Sequence, residues 1–170
     1  MKPKVVHMVA AMASLAALSS PAQAGETHKA KLLQGIEETP AIITGAGGSF
    51  KMDIANDDAS FTFELTYEGL ENPVTQAHIH VGQAGVAGGI VVFFCTNLTP
   101  PPNVPVPPRC PAPPATVTGT RTAADVLAVT AQGVSAGELS AVLTAVREGV
   151  SYANVHTTGF PSGEIRGQIR

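Results

Sequence analysis

Three of the five histidines lie in two short segments whose spacing suits metal ligation. His78 and His80 form an H-x-H pair in the segment QAHIHV, and His156 lies in the segment YANVHT. Side chains two residues apart on a β-strand point to the same side. Because imidazole nitrogens suit zinc and copper, these histidines could supply three ligands to such an ion, with Glu164 or water as the fourth.

The residues around these histidines predict a polar face shared by neighbouring strands. If Val155, Ile165 and Ile169 are buried, the alternation of a strand turns the intervening side chains to the opposite face. That face would then carry Asn154, His156, Glu164, Arg166 and Gln168.

Besides a metal site, two interpretations of this face stay open. Its residues could form a solvent-facing hydrogen-bonded network that fixes strand register, with Glu164 or His156 pairing Arg166 and the histidines bonding carbonyls or threonines. The face could also contact an extracytoplasmic protein or glycan.

A metal-dependent enzyme is a further alternative, but the sequence favours no catalytic function, because it contains neither a nucleophile elbow nor a phosphate loop. The adjacent acids Glu37–Glu38 and Asp57–Asp58 are predicted to be solvated.

The pattern of apolar residues predicts a mainly β fold with one helix. Alternation is clearest at 59–67, and further strands are expected at 31–34, 74–81, 90–95, 115–120, 151–157 and 164–169. Residues 25–29 are interpreted as a flexible lead-in, 82–89 as a mobile glycine-rich loop, and 123–129 as a short helix or strand. Capping-box spacing at Ser135–Glu138 and apolar residues at helical intervals predict a helix that ends at Gly149. The sum is an antiparallel, Greek-key-like sandwich or barrel with one amphipathic helix near the C-terminal third.

The N-terminus has the pattern of an export signal. Lys2 and Lys4 precede an apolar run, and the segment Pro21–Ala24 has the A-x-A form of a cleavage site. We therefore expect a signal peptide over 1–24, one domain over 25–170, no later membrane span, and a secreted or periplasmic location. Residues 25–170 contain eight Lys and Arg against thirteen Asp and Glu, a net charge of about −5, which disfavours nucleic acid as a partner.

The two cysteines enclose a proline-rich insertion. Cys95 and Cys110 flank a segment that contains six prolines, which cannot join a sheet because proline lacks the backbone donor. Export permits a disulfide, and the C-x-x-C spacing of redox or metal pairs is absent, so the spacing favours a structural bridge.

Two segments resemble the signature blocks of the CHRD (chordin) domain family. The first runs from Ala77 to Gly85, and the second combines YANVHT at 152–157 with GEIRGQI at 163–169. The likeness extends over roughly 31–170. Apart from the proline-rich insertion, the chain resembles the bacterial exported single-domain members of the family. It implies an extracytoplasmic binding or structural module whose precise role the family does not define.

Overall fold

The structure, a computed structural model, describes residues 25–170. The expected signal peptide and its cleavage point lie outside the described residues. Within these residues, eight strands and one α-helix make up the regular structure, together with three short 3₁₀ turns. The strands are β1 (Glu26–Gln34), β2 (Gly47–Ile54), β3 (Ser60–Glu68), β4 (Val74–Val81), β5 (Gly89–Thr96), β6 (Ala115–Thr122), β7 (Ser151–Thr157) and β8 (Ile165–Gln168), and the helix is α1 (Leu139–Arg147).

All eight strands form one antiparallel sheet that curls into a nearly closed barrel, as the sequence predicts in outline. Their order is β5-β4-β7-β8-β1-β2-β3-β6. The buried Arg121 of β6 joins the two edge strands: its Nε donates to the carbonyl of Phe93 and its Nη2 to that of Phe94, both at 2.8 Å. A side chain therefore supplies hydrogen bonds where the backbone ladder is interrupted.

The core fills the inside of the barrel with the apolar side chains that alternate along each strand and point inward. Phe94 of β5 packs against Phe50 of β2 and Phe63 of β3, with ring centroids 4.9 and 4.6 Å apart. These contacts cross the barrel and join strands that are not neighbours in the sheet. Inward side chains of this size dominate the hydrophobic stabilisation of a β fold.

Two sequence expectations near the N-terminus need correction. Residues 26–30 are the start of β1 rather than a lead-in, because their backbones pair with β2 from Glu26 opposite Ile54 to Ala30 opposite Phe50. β2 itself was missed, although its residues Phe50, Met52 and Ile54 alternate with Ser49, Lys51 and Asp53 in the way that predicts a strand.

The helix forms where its apolar periodicity predicts it. Leu139, Val142, Leu143 and Val146 are buried, and Gly149 after its end adopts φ +65°. The amide of Ser135 donates to the Glu138 carboxylate at 2.9 Å, so this bond closes a turn immediately before the helix. The segment 123–129 contains a 3₁₀ turn at Ala123–Asp125, and Leu127 beyond it donates to the carbonyl of Val91 on β5. No helix within residues 25–170 has the length and apolar character needed to span a membrane.

The cysteines form the expected disulfide. Cys95 at the end of β5 is bonded to Cys110, with Cα atoms 4.9 Å apart. The enclosed proline segment contains no strand, and it is attached to the barrel by three bonds to backbone carbonyls. Thr96 N at the end of β5 donates to Pro108 O, Asn97 Nδ2 donates to Val74 O on β4, and Tyr67 Oη of β3 donates to Pro111 O just beyond the bridge.

Reducing the disulfide should lower the free energy of unfolding by about 3 kcal/mol, because the bridge closes a loop over a sequence separation of 15. Urea unfolding with and without reductant measures the difference. The double variant Cys95→Ala, Cys110→Ala is the control and should not respond to reductant. A wild-type stability unchanged by reductant would contradict the prediction.

Candidate metal centre

Three histidines meet on the outer face of two neighbouring strands. β4 carries His78 and His80, and β7 carries His156. The strands pair antiparallel with Gln76 opposite His156 and His78 opposite Asn154, so His156 lies diagonally beside His78. The ring centroid of His78 is 4.8 Å from that of His80 and 4.5 Å from that of His156. One ring nitrogen from each of these residues, the histidine triad below, lies within 4.8 Å of the others.

The triad is buried, whereas the hydrogen-bonded-network interpretation places these residues in solvent. His78 is 0%, His80 7% and His156 5% exposed. Residues 82–88, called the glycine loop here, contact the face from one side, and residues 158–163 contact it from another. The ring of Phe93 on β5 adds an edge contact to His78, at 4.8 Å between centroids. The sheet is therefore covered on both faces at β4 and β7.

Backbone carbonyls fix the tautomers of two histidines. Nδ1 of His80 bonds the carbonyl of Gly88 at 2.8 Å, and Nδ1 of His156 bonds the carbonyl of Pro161 at 2.9 Å. A carbonyl only accepts, so both Nδ1 atoms carry a proton and both Nε2 atoms of the neutral rings carry a lone pair. Nδ1 of His78 lies 3.0 Å from Nε2 of His80 and donates to it, which leaves a lone pair on Nε2 of His78.

Two of these lone pairs are buried without a partner. Nε2 of His78 and Nε2 of His156 are inaccessible to solvent and have no hydrogen-bond partner within residues 25–170. Such atoms are rare in native proteins, because burying an acceptor without a bond costs about 1–3 kcal/mol. A hydrogen-bonded network alone does not account for them.

The environment keeps the triad uncharged. Burial, and then the proximity of His156 and His80, lowers the pKa of His78 well below its usual value. Burial also lowers the pKa of His80 to about 4 and shifts the pKa of His156 downward. Neutral imidazole is the form that binds metal ions.

Glu164 lies outside this group of potential ligands. Its carboxylate accepts hydrogen bonds from the hydroxyls of Thr44, at 3.0 Å, and Thr157, at 2.7 Å. It is 1% exposed and attaches the segment before β2 to the end of β7. Within residues 25–170, the cluster with distances suited to a metal ion consists of the three histidines alone.

The other predicted polar residues hold the covering segments in place. Asn154 donates from Nδ2 to the carbonyl of Ile165 and to the carboxylate of Glu38. Gln168 donates from Nε2 to the carbonyls of Gly82 and Gly149. Both side chains therefore take part in a hydrogen-bonded network, but this network is buried or half-buried rather than open to solvent.

Arg166 binds the glycine loop rather than the acidic or imidazole partner that the sequence suggests. Nη1 donates to the carbonyl of Val86 at 2.9 Å and Nη2 to that of Gln83 at 2.8 Å. The guanidinium also lies 3.5 Å from the ring centroid of Tyr152, which stacks on His80 at 4.6 Å. These bonds tie the loop to the sheet, although the sequence predicts that the loop is mobile.

Glycine is required where the loop returns to the sheet. A Cβ atom at Gly88 would lie 1.6 Å from the carbonyl oxygen of Val81, so no other residue fits without moving the backbone. This close approach brings the Gly88 carbonyl to His80 and its amide to the hydroxyl of Tyr152, at 3.1 Å.

Glu38 is the acidic residue of this face, and it is not solvated as predicted. It follows the 3₁₀ turn Gly35–Glu37 and accepts a hydrogen bond from Asn154. Burial raises the pKa of Glu38 to about 7, against the lowering effects of the Asn154 bond and the Arg166 charge. No short-range pattern predicts this position, because Glu38 reaches β7 from a turn 116 residues earlier in the chain.

Tyr152 was also missed, and a signal for it exists. It precedes Asn154 and His156 at intervals of two, so the alternation that predicts their common face includes it. Phe93 gives no such signal, since β5 reads as a continuous apolar run.

The CHRD domain model matches residues 30–169. The chain belongs to the CHRD domain family. No curated protein and no solved structure gives a significant match. In this CHRD domain the two signature blocks contact each other, because His80 precedes the glycine loop and Arg166 binds the carbonyls of that loop.

Replacing Arg166 by methionine should destabilise the CHRD domain by about 2–4 kcal/mol. The substitution keeps much of the side-chain volume but leaves the carbonyls of Gln83 and Val86 without their donors. Urea unfolding measures the loss, and amide hydrogen exchange at Val86 and Gly88 should accelerate. Arg109→Met, in the exposed proline segment, is the control and should change stability by less than about 0.5 kcal/mol. Equal stability of the two variants would contradict the role of Arg166.

Glu38→Gln should stabilise the domain at pH 8. The folded-state pKa of Glu38 is raised from 4.5 to about 7, so the native state binds more protons than the unfolded state between these values. Its contribution to stability therefore falls as pH rises from about 4.5 to about 7. Allowing for partial solvent screening, the variant should gain on the order of 1–2 kcal/mol at pH 8 and nothing at pH 4. Unfolding at both pH values, with Glu37→Gln as control, measures the difference. A gain that does not depend on pH would contradict the assignment.

Proposed function

We propose that this CHRD domain is an extracytoplasmic binding module whose histidine triad holds one zinc or copper ion. The observation that carries the proposal is the pair of buried Nε2 atoms, on His78 and His156, that have no partner within residues 25–170. A metal ion would accept both of these lone pairs, and it would take that of His80 in place of the hydrogen bond from Nδ1 of His78. It would thereby remove the cost of leaving them unbonded.

The surroundings of the triad support a metal ligand role. Histidines that bind metals almost always donate their second ring nitrogen to a carbonyl or carboxylate, and His80 and His156 do so to Gly88 and Pro161. A tetrahedral zinc ion with bonds of about 2.0 Å holds its ligand atoms about 3.3 Å apart. The triad nitrogens lie within 4.8 Å of one another, so small side-chain rotations suffice.

The ligand types restrict the choice of metal. Three neutral imidazoles without a carboxylate or a thiolate suit zinc and copper, whereas calcium and magnesium require oxygen ligands. Within residues 25–170 the cysteines are joined in a disulfide, and Glu164 is held by two threonines. Water would complete a three-histidine site.

An extracytoplasmic location agrees with the family and with the disulfide. Disulfides persist in oxidising compartments. The proposal therefore retains export through the segment 1–24, cleavage after Ala24, and a secreted or periplasmic mature domain. The intact mass of the purified protein tests the cleavage.

Metal analysis of the natural protein tests the triad. The full chain is expressed, and the protein is purified without chelator or affinity histidines and dialysed against limiting zinc or copper. We expect close to one ion per chain. We also expect a rise in the free energy of unfolding of about 2.7 kcal/mol at a free metal concentration of 100 times Kd.

Asparagine variants separate metal ligation from hydrogen bonding. In His80→Asn and His156→Asn the amide nitrogen takes the position of Nδ1 and can still donate to Gly88 or Pro161, but Nε2 is lost. Both variants should fold and lose at least 90% of the bound metal. His28→Asn removes a histidine outside the triad and should retain the ion. Absence of stoichiometric metal in the natural protein, with no thermal shift on adding zinc or copper, would overturn the proposal in favour of a purely hydrogen-bonded face.

A further inference from the structure

A small cleft adjoins the histidine triad without including any of its members. It has a volume of about 220 Å³, and its lining includes Glu38, Thr39, Pro40, Phe160, Pro161 and Ser162. Pro161 connects the two places, because its carbonyl accepts the Nδ1 proton of His156. From the composition and charge of this cleft, we propose that it binds a small alkylammonium ion, with Glu38 as the counter-ion. This inference goes beyond the metal proposal and does not depend on it.

The Glu38 carboxylate is partly withdrawn from water but forms no ion pair. One oxygen accepts from Asn154, and within residues 25–170 no Lys, Arg or His nitrogen lies within 4.0 Å of either oxygen. A carboxylate in this position costs free energy unless a cation compensates it. The raised pKa of Glu38 reflects the same desolvation.

The neighbouring guanidinium is already engaged elsewhere. Arg166 acts on Glu38 only through its charge, since its terminal nitrogens bond the carbonyls of Gln83 and Val86. Moving it to the carboxylate would release the glycine loop. A compensating cation would therefore have to come from outside the described part of the chain.

The backbone keeps the carboxylate at the cleft. Gly163 adopts φ +124°, and a Cβ atom there would lie 2.6 Å from Oε1 of Glu38. Glycine at this position thus leaves room for the side chain of Glu38 beneath residues 159–163. Substitution would push the carboxylate away from Asn154.

Cleft size and lining define the class of ligand. The walls are largely apolar, from Pro40, Ile42, Phe160 and Pro161, and they suit a short hydrocarbon chain beside a single charge. A volume of 220 Å³ corresponds to about seven water-sized groups at about 30 Å³ each, which accommodates a primary amine of about five non-hydrogen atoms. The net charge of about −5 over residues 25–170 also attracts cations to the domain.

Titration with n-butylammonium, followed by amide NMR shifts, tests the cleft. The full chain is expressed and the purified protein is freed of metal, at pH 8 and constant ionic strength. We expect saturable shifts at the amides of Gly159, Ser162 and Gly163 with a millimolar Kd, as suits so small a ligand. Butanol and butyrate, which match its size but lack its charge, should give at least tenfold weaker binding.

Matched variants assign the effect to the carboxylate. Glu38→Gln keeps an oxygen for the Asn154 bond and removes only the charge, so it should weaken butylammonium binding at least tenfold. Glu37→Gln, at the exposed neighbouring position, should bind within twofold of the natural protein. His80→Asn should also bind normally, which separates this cleft from amine ligation at a metal ion. The alkylammonium group could come from a lysine side chain or from a free amine. Nα-acetyl-lysine amide is a second probe that distinguishes these two sources, because it binds only if the cleft accepts a lysine side chain.

The proposal is overturned if butylammonium gives no saturable shift up to about 50 mM, roughly ten times the expected Kd. It is equally overturned if butanol binds as well as butylammonium, or if Glu38→Gln binds as tightly as the natural protein. If the histidine triad binds no metal ion and the metal proposal fails, all of these expected results for the cleft stay the same.

Discussion

The burial of a polar sheet face constrains the rest of this domain. On β4, β7 and β8 the outward side chains include three imidazoles, an amide and a guanidinium that are covered nearly as completely as the apolar core. Such groups are tolerated in a low dielectric only when their donors have acceptors. The covering segments must therefore present backbone carbonyls at fixed places, and this requirement determines the path of the glycine loop and of residues 158–163. Gly88 satisfies it through an approach to Val81 that leaves no room for a side chain.

This constraint gives a physical reason for the two signature blocks of the family. The first block supplies the H-x-H strand and the loop that follows it, and the second supplies the guanidinium and the amide that bind the loop. Each block alone would leave unpaired polar groups. Together they form one hydrogen-bonded unit, which lies across the sheet from the barrel core.

The sequence predicts much of the fold because alternation and turn residues are local signals. β4 and β7 have the predicted bounds, and the common face of His78, His80 and His156 follows from residue spacing. The burial of that face could not be predicted in the same way. Its acceptors are carbonyls of Gln83, Val86, Gly88 and Pro161, and a backbone carbonyl has no signature in side-chain sequence.

Long-range placement explains the remaining differences. Glu164, adjacent to the histidines in the predicted face, is drawn to Thr44 in a segment far away in sequence. Glu38, predicted to be solvated, is instead the carboxylate that lies on this face in place of Glu164, where it accepts a hydrogen bond from Asn154. Neither exchange changes the pattern of apolar residues, so hydrophobic periodicity contains no information about it.

The ionisable groups of this face favour a common uncharged state over a range of pH. His80 stays neutral above a pKa of about 4, and Glu38 stays protonated below a pKa of about 7. Between these values the imidazole and the carboxyl are both neutral in the folded domain, and their effects on stability have opposite signs. As pH falls through this range, the histidine loses part of its contribution to stability while Glu38 regains its own.

A cation entering either the triad or the cleft disturbs this balance, because its charge favours the carboxylate form of Glu38 and disfavours protonation of the imidazoles. Binding of a cation to this face would therefore be linked to proton release from Glu38, because the imidazoles are already neutral in this range.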